Sequence, residues 1–378
     1  MFAMLQGAWP RVTSDGIDLA ALEADVAAGR ADAEALERAT NQLVAEVLAA
    51  QAEAGMDLLT DGQVRWPSLA EAVRIALFER RFEAERPLVA AWKAATAVAP
   101  EGTTVAQALP GPYTLGRRAI EDALRRTRDA GEAPPSAAEL NAAKFDVTLS
   151  IAHSLADEVE ALVAAGCRVI VVEEPDAVSI GGNASERVLL SNASTVLLER
   201  SGGIHAMLAI TGGSAHEVGA AAIFEAPWQS LLVDLIAGPD NWQLVRETPG
   251  DRGIVCAALA VPESGLEVES GMEVESGLEV DRAPEMVWAS QYAASANGRG
   301  LARVGLTNAT RLADRTPEAA RMAIRQLAQA AKFAAMPLAD AVEAGLDART
   351  IRDARPIPAT SNRAARRRQA RQANRERD

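Results

Sequence analysis

Short apolar runs of five to nine residues recur along this chain, and longer amphipathic segments separate them. The runs are FAMLQG (2–7), MDLLT (56–60), TVAQAL (104–109), CRVIVVE (167–173), IHAMLAIT (204–211), LLVDLI (231–236), GIVCAALAV (253–261) and ARVGLTN (302–308). Runs of this length, bounded by turn residues, read as buried strands. Parallel strands need crossover connections of a dozen residues or more, usually helical, and the separating segments supply them. The pattern therefore predicts an α/β fold with a parallel sheet. Eight strand-helix units predict a (β/α)8 TIM barrel over residues 1–340, with an open doubly wound sheet as the second choice.

The helical segments carry their own end signals. Residues 32–55 place Leu36, Leu43, Val44, Val47 and Leu48 on one face and stop at Gly55, a C-cap residue. Ser136 and Glu139 have the spacing of a capping box, and that helix should run to Gly166. Thr316 followed by Pro317 marks the start of the last helix.

Charge is unevenly spread. Residues 360–378 hold seven arginines against Glu376 and Asp378, a net +5; the whole chain is −14, so the remainder carries −19. An acidic body excludes nucleic acid as a partner of the main surface, leaving the arginine-rich tail as the one segment suited to it or to an acidic partner. Residues 341–378 read as a basic C-terminal extension, disordered from about residue 360. No apolar stretch is long enough to span a membrane, and the N-terminus lacks the pattern of a secretory signal. Cys167 and Cys256 lie in apolar runs and read as free buried thiols, which points to the cytoplasm.

A barrel places its chemistry on the loops that follow the strands. Those loops read GAWPR (7–11), TDGQVRW (60–66), PGPYTLG (110–116), EEPDAV (173–178), TGG (211–213) and NATR (308–311). Polar, glycine and proline residues gather there. The candidate catalytic residues are Glu173, Asp61 and Tyr113. The candidate substrate-binding residues are Ala8, Trp9, Arg11, Gln63, Arg65, Glu174 and Asn308. Glu173 and Glu174 alternate along a strand end, so one of them should face the lumen. Desolvated there, it would act as a general base; hydrogen-bonded to Arg65 or Arg11, it would only cap the lumen.

The motifs GAWPR, EAGMDLLTDGQ, GPYTL, DEVEALVAAGCRVIVVEEP and TPEAARMAIRQLAQAAKF, in that order, resemble the C-terminal catalytic barrel of cobalamin-independent methionine synthase. The resemblance covers roughly residues 3–335 and implies a single-barrel, core-type relative of the uroporphyrinogen-decarboxylase and methionine-synthase superfamily. It implies methyl transfer to homocysteine in methionine biosynthesis, with zinc holding the thiol as thiolate. At the positions matching the zinc ligands this chain has Met207, Ala209, Asp234 and Asn308. Thioethers and neutral amides are poor zinc donors, so no metal or other cofactor is expected. At the positions that anchor the amino-acid ammonium it has Ala8, Gln63 and Glu173. His205 falls two residues before the ligand position, near the strand's start, and reads as a core or lumen histidine with a satisfied hydrogen bond. His153 and His216 read as structural.

Residues 263–280 repeat the hexad ESGLEV, ESGMEV, ESGLEV. The simplest reading is a duplicated, acidic loop after the strand at 253–261; a gate or a weak Ca²⁺ site are the functional alternatives. Two functions remain open. One is a divergent methyltransferase-family enzyme acting on a small molecule at the barrel mouth. The other is a non-catalytic small-molecule-binding or regulatory relative.

Overall fold

The computed structural model describes residues 1–79, 81–261, 283–309, 311–336 and 340. The hexads at 263–280 and the extension at 341–378 lie outside the described residues. Met1–Ala335 forms one compact unit, and of the second unit, Met336–Asp378, only Met336 and Asp340 are described.

The strands are β1 (Phe2–Ala3), β2 (Leu58–Leu59), β3 (Thr104–Val105), β4 (Gln107–Pro110), β5 (Val169–Glu173), β6 (His205–Ile210), β7 (Ser230–Asp234), β8 (Gly253–Leu259) and β9 (Val304–Asn308). Seven of them form a curled, all-parallel sheet in the order β1-β9-β8-β7-β6-β5-β4. β2 and β3 form a separate parallel pair, and a single parallel bridge joins Met4 to Leu58. The expected strand at 104–109 is thus two pieces with different partners. Ala106 separates them and donates its N–H to the Leu59 carbonyl. The strands expected at 2–7 and 56–60 are shorter than their apolar runs, because their last residues leave the ladder to build the loops described below.

The sheet divides the core in two, as period-two alternation requires. On β5, Ile170 and Val172 point to the large core under the helices, whereas Val171 joins an inner cluster with Met4, Leu58, Ala106, Met207, Ala209, Leu232, Val255 and Ala257. Gly305 belongs to the inner face too, since the Phe2 ring lies 2.5 Å from where its Cβ would be. The inner cluster plugs the concave side of the sheet and leaves its carboxyl-end rim for polar groups.

The helices end where the sequence marks them. Ala33–Ala54 starts at the Asp32 side chain and stops at Gly55, which is left-handed at φ 83°. Ala137–Ala165 has the full Ser136–Glu139 capping box and stops at Gly166, φ 99°. Pro317–Ala335 is opened by the Thr316 hydroxyl, which accepts from Ala319 N at 3.2 Å. Two other helices begin without a side-chain cap of their own: Pro87–Val98 after Arg86, and Pro112–Asp129 after Gly111. Buried glutamates on neighbouring elements cap both. Glu158 accepts from Leu88 N at 3.0 Å and Val89 N at 3.1 Å, and Glu174 accepts from Tyr113 N at 2.9 Å and Thr114 N at 2.7 Å. A carboxylate at a helix N-terminus satisfies orphan N–H groups and complements the helix dipole.

Candidate functional site

Glu173 ends β5 in phase with Val171 and so stands on the inner face, directly above the apolar plug. Its Oε1 accepts from Gln63 Nε2 at 2.8 Å and from Gln6 Nε2 at 3.3 Å. Its Oε2 accepts no hydrogen bond among the described residues. Burial pushes its pKa up to about 7, helped by the charge of Asp61 and opposed by the two amides and by Arg311. A half-buried carboxyl poised near neutrality, with one oxygen fixed and the other uncommitted, can accept a proton from a bound molecule.

The loop after β2 delivers the amide. Gln51, buried on the helix Ala33–Ala54, accepts from Thr60 N at 3.1 Å and donates to Thr60 O at 2.7 Å, so a side chain replaces a strand partner. The chain then turns sharply. Gly62 is at φ 64° and packs so closely on Trp9 that a Cβ would lie 2.7 Å from the Trp9 Cβ. Gln63 is also left-handed, at φ 53°, although it bears a side chain. Non-glycine residues adopt this region at a cost and mostly where surrounding structure fixes them. Here the result is that the Gln63 backbone N–H reaches Asp61 Oδ1 at 2.9 Å while its side-chain amide reaches Glu173. Asp61 is 4% exposed, its pKa raised by burial, and its Oδ2 is buried with no hydrogen-bond partner among the described residues.

The structure gives several of the expected site residues other tasks. Glu174 points away from Glu173 and caps the helix Pro112–Asp129. Tyr113 is buried and donates its hydroxyl to Glu186 Oε2 at 2.9 Å, and Lys144 Nζ holds the other Glu186 oxygen at 2.6 Å. These side chains line a cleft of about 240 Å³ between helices, with Arg117, Ile120, Leu124 and Leu140. Trp9 packs in the core beneath Gly62 and donates its backbone N–H to Gly62 O at 2.8 Å. Arg11 pairs with Glu23 at 2.5 Å and donates to Val64 O at 2.9 Å, which braces the same loop. Arg65 donates to Asn41 at 2.9 Å, and its Nε is buried without a partner among the described residues. Neither arginine hydrogen-bonds Glu173; amides fill that role. Ala8 lies half-buried beside this loop and brings no polar side-chain atom.

The residues at the resemblance's zinc-ligand positions do not form a zinc donor set. Met207 and Ala209 belong to the apolar plug. Asp234 accepts three backbone N–H groups, from Gly212 at 3.0 Å, Ile236 at 2.9 Å and Ala237 at 2.8 Å, and so ties two rim loops together. Asn308 exchanges both ends of its amide with the Gln6 backbone, at 3.0 and 2.8 Å, which extends the β1–β9 pairing by one rung. It also shares its pleat with Val304 and Leu306, which face the outer core. Among the described residues, no three His, Cys, Asp or Glu side chains are grouped to hold a metal ion. His205 lies at the opposite end of the sheet, exposed at the start of β6, with Nε2 2.8 Å from Ser230 Oγ. Its hydrogen bond is satisfied as expected, but it is not a core residue.

Gln6 and Gln51 are the contributors that sequence reasoning missed. Gln6 had a readable signal: it follows Phe2 and Met4 at period two, so it had to share their inner face. Gln51 had none, since its partner is backbone from another element.

With the geometry in hand, solved structures supply the comparison. A vitamin-B12-independent methionine synthase from Shewanella sp. W3-18-1, in complex with selenomethionine, matches with a TM-score of 0.60 at 12% identity, over 88% of this chain and 96% of that one. A Listeria monocytogenes protein described as a vitamin-B12-independent methionine synthase matches with a TM-score of 0.58 at 15% identity, over 88% and 97%. The chain shares their fold. The resemblance drawn from the motifs is thereby borne out at the level of architecture. No protein-family model matches the chain, and no curated protein does. Among the described residues, no helix is long and apolar enough to cross a membrane.

Proposed function

We propose that the chain is a divergent methyltransferase-fold protein that binds a small molecule at the carboxyl end of its strands and works by proton transfer through Glu173. On this reading the Met4–Leu58 bridge joins the two sheets into a closed (β/α)8 barrel, with the rim loops of β2, β5 and β9 around the mouth. Glu173 carries the proposal: it is an inner-face carboxyl of the rim, fixed on one oxygen by two neutral amides and uncommitted on the other among the described residues. Neutral amides orient a carboxyl without holding it ionised as a salt bridge would. A group with a pKa near 7 is half-protonated at neutral pH and can take a proton from a ligand at Oε2. Gln63, Gln6 and the left-handed Gly62–Gln63 turn position it. The free, buried thiols of Cys167 and Cys256 support a reducing, cytoplasmic setting.

Zinc activation of a thiol is not part of this mechanism, because the oxygens of Asp234 and Asn308 are committed to backbone and their neighbours are Met207 and Ala209. That same commitment favours the second reading, a non-catalytic small-molecule-binding relative. One set of measurements separates them. Protein purified without chelator is expected to hold well under one zinc per chain. Turnover of a small methyl acceptor that falls in Glu173→Gln supports the enzyme; ligand binding without turnover supports the binding protein. Stoichiometric zinc together with methyl transfer to homocysteine would overturn both.

A further inference from the structure

The cleft of about 240 Å³ lies between the helices Pro112–Asp129, Ala137–Ala165 and Ala184–Leu198, and Glu173 and Asp61 are not among its walls. Each helix gives it a stripe at three- and four-residue spacing: Tyr113, Arg117, Ile120 and Leu124 from the first, Leu140 and Lys144 from the second, Glu186 and Leu189 from the third. Its polar groups are linked. Both Glu186 oxygens are taken, Oε2 by the Tyr113 hydroxyl at 2.9 Å and Oε1 by Lys144 Nζ at 2.6 Å. Burial works to raise the Glu186 pKa, but these two bonds outweigh it and hold the group below the usual carboxylate range. Lys144 spends one of its three N–H donors on Glu186 and bonds nothing else among the described residues, with a side chain 32% exposed. Arg117 donates to Glu121 at 3.0 Å and to Ser179, and its charge acts on the Tyr113 hydroxyl. The spare capacity of this end is therefore in donors. Along the first helix, Ile120 is buried and Leu124 half-buried, and Leu140 is half-buried opposite them.

We propose that this cleft binds a small aliphatic carboxylate, its head on the Lys144 ammonium beside Arg117 and its chain along Ile120, Leu124 and Leu140. A carboxylate accepts the donors that Lys144 has left, and charge-assisted bonds of this kind are the strong ones. Lys144 then stands between two carboxylates, Glu186 and the ligand's, and Arg117 offsets the added charge. An amine of the same length would meet two cations and find both Glu186 oxygens occupied. The size of the cleft limits the ligand. About 240 Å³ exceeds the ~150 Å³ that admits benzene and falls short of pockets for drug-sized molecules, which sets the ligand at about ten non-hydrogen atoms. The rise from Arg117 to Leu124 is about 10 Å, the reach of an extended chain of about eight carbons. The site stands independently of the proton-transfer reading of the mouth.

The test is isothermal titration calorimetry of the full chain at pH 7 with sodium octanoate, and with octylamine as the ligand of opposite charge. Octanoate is expected to saturate one site with a Kd of about 1 mM or tighter, the order a ligand of this size can reach. Octylamine should bind at least about tenfold more weakly, and Lys144→Gln should weaken octanoate by about tenfold or more. Arg128→Gln, an exposed position of the same helix outside the cleft, should bind as the parent does. Absence of saturable octanoate binding, or equal binding of octylamine, would refute the proposal on the parent protein without any variant. If Lys144→Gln does not fold, Arg117→Gln takes its place, and octanoate affinity unchanged in the variant would also refute it. Glu173→Gln should bind octanoate as the parent does; loss of binding there would put the ligand in the mouth instead and overturn the assignment to this cleft.

Discussion

Replacing Glu174 by alanine should cost stability, and the structure sets the size of the loss. Two helix N–H groups, from Tyr113 and Thr114, lose a buried acceptor. At about 2 kcal/mol for each orphaned group the gross loss is about 4 kcal/mol, with roughly 1 kcal/mol more for the charge at the helix N-terminus. Burying the carboxyl offsets part of this, since desolvation raises its pKa to about 7. The net expectation is about 2–3 kcal/mol, read as a fall of about 3–4 °C in thermal unfolding followed by circular dichroism. Glu101→Ala, in an exposed turn, should stay within about 0.5 kcal/mol of the parent. A second substitution sharpens the test. A Cβ on Gly111 would lie 2.0 Å from the Glu174 carboxyl carbon, and Gly111 has an ordinary φ of −74°. Gly111→Ala should therefore be strongly destabilising alone and nearly free of cost once Glu174 is alanine. Additive losses, or a Glu174→Ala melting point within about 1 °C of the parent, would show that Glu174 is not the cap of this helix.

Glu173→Gln tests the raised pKa. A carboxyl at about 7 in the fold and 4.5 unfolded leaves the native state binding more protons between those values. Its stabilisation is complete below pH 4.5 and is lost as pH rises through 7. Urea titrations across this window should show that slope, about 1–3 kcal/mol in total, reduced in Glu173→Gln; an unchanged slope would move the titration elsewhere. Arg299→Met probes a different device. Arg299 is 1% exposed and donates to the carbonyls of Arg252 at 2.8 Å, Ala293 at 2.6 Å and Thr248 at 2.9 Å, closing the ends of two helices. Its loss should cost about 3–5 kcal/mol with no change in the Glu173 titration, and a variant as stable as the parent would contradict that role.

The sequence determined the alternation of strands and helices, the caps at Gly55, Ser136 and Thr316, and that one of Glu173 and Glu174 faces inward, because local backbone preference and period-two burial are written residue by residue. Tertiary structure decided which polar groups are spare. Glu174, Tyr113, Asp234 and Asn308 all sit at rim positions, yet each is claimed by a backbone or side-chain partner distant in sequence. A carboxylate in a string of letters looks the same whether it faces a ligand or a neighbouring helix. Only packing reveals whether its lone pairs are already taken.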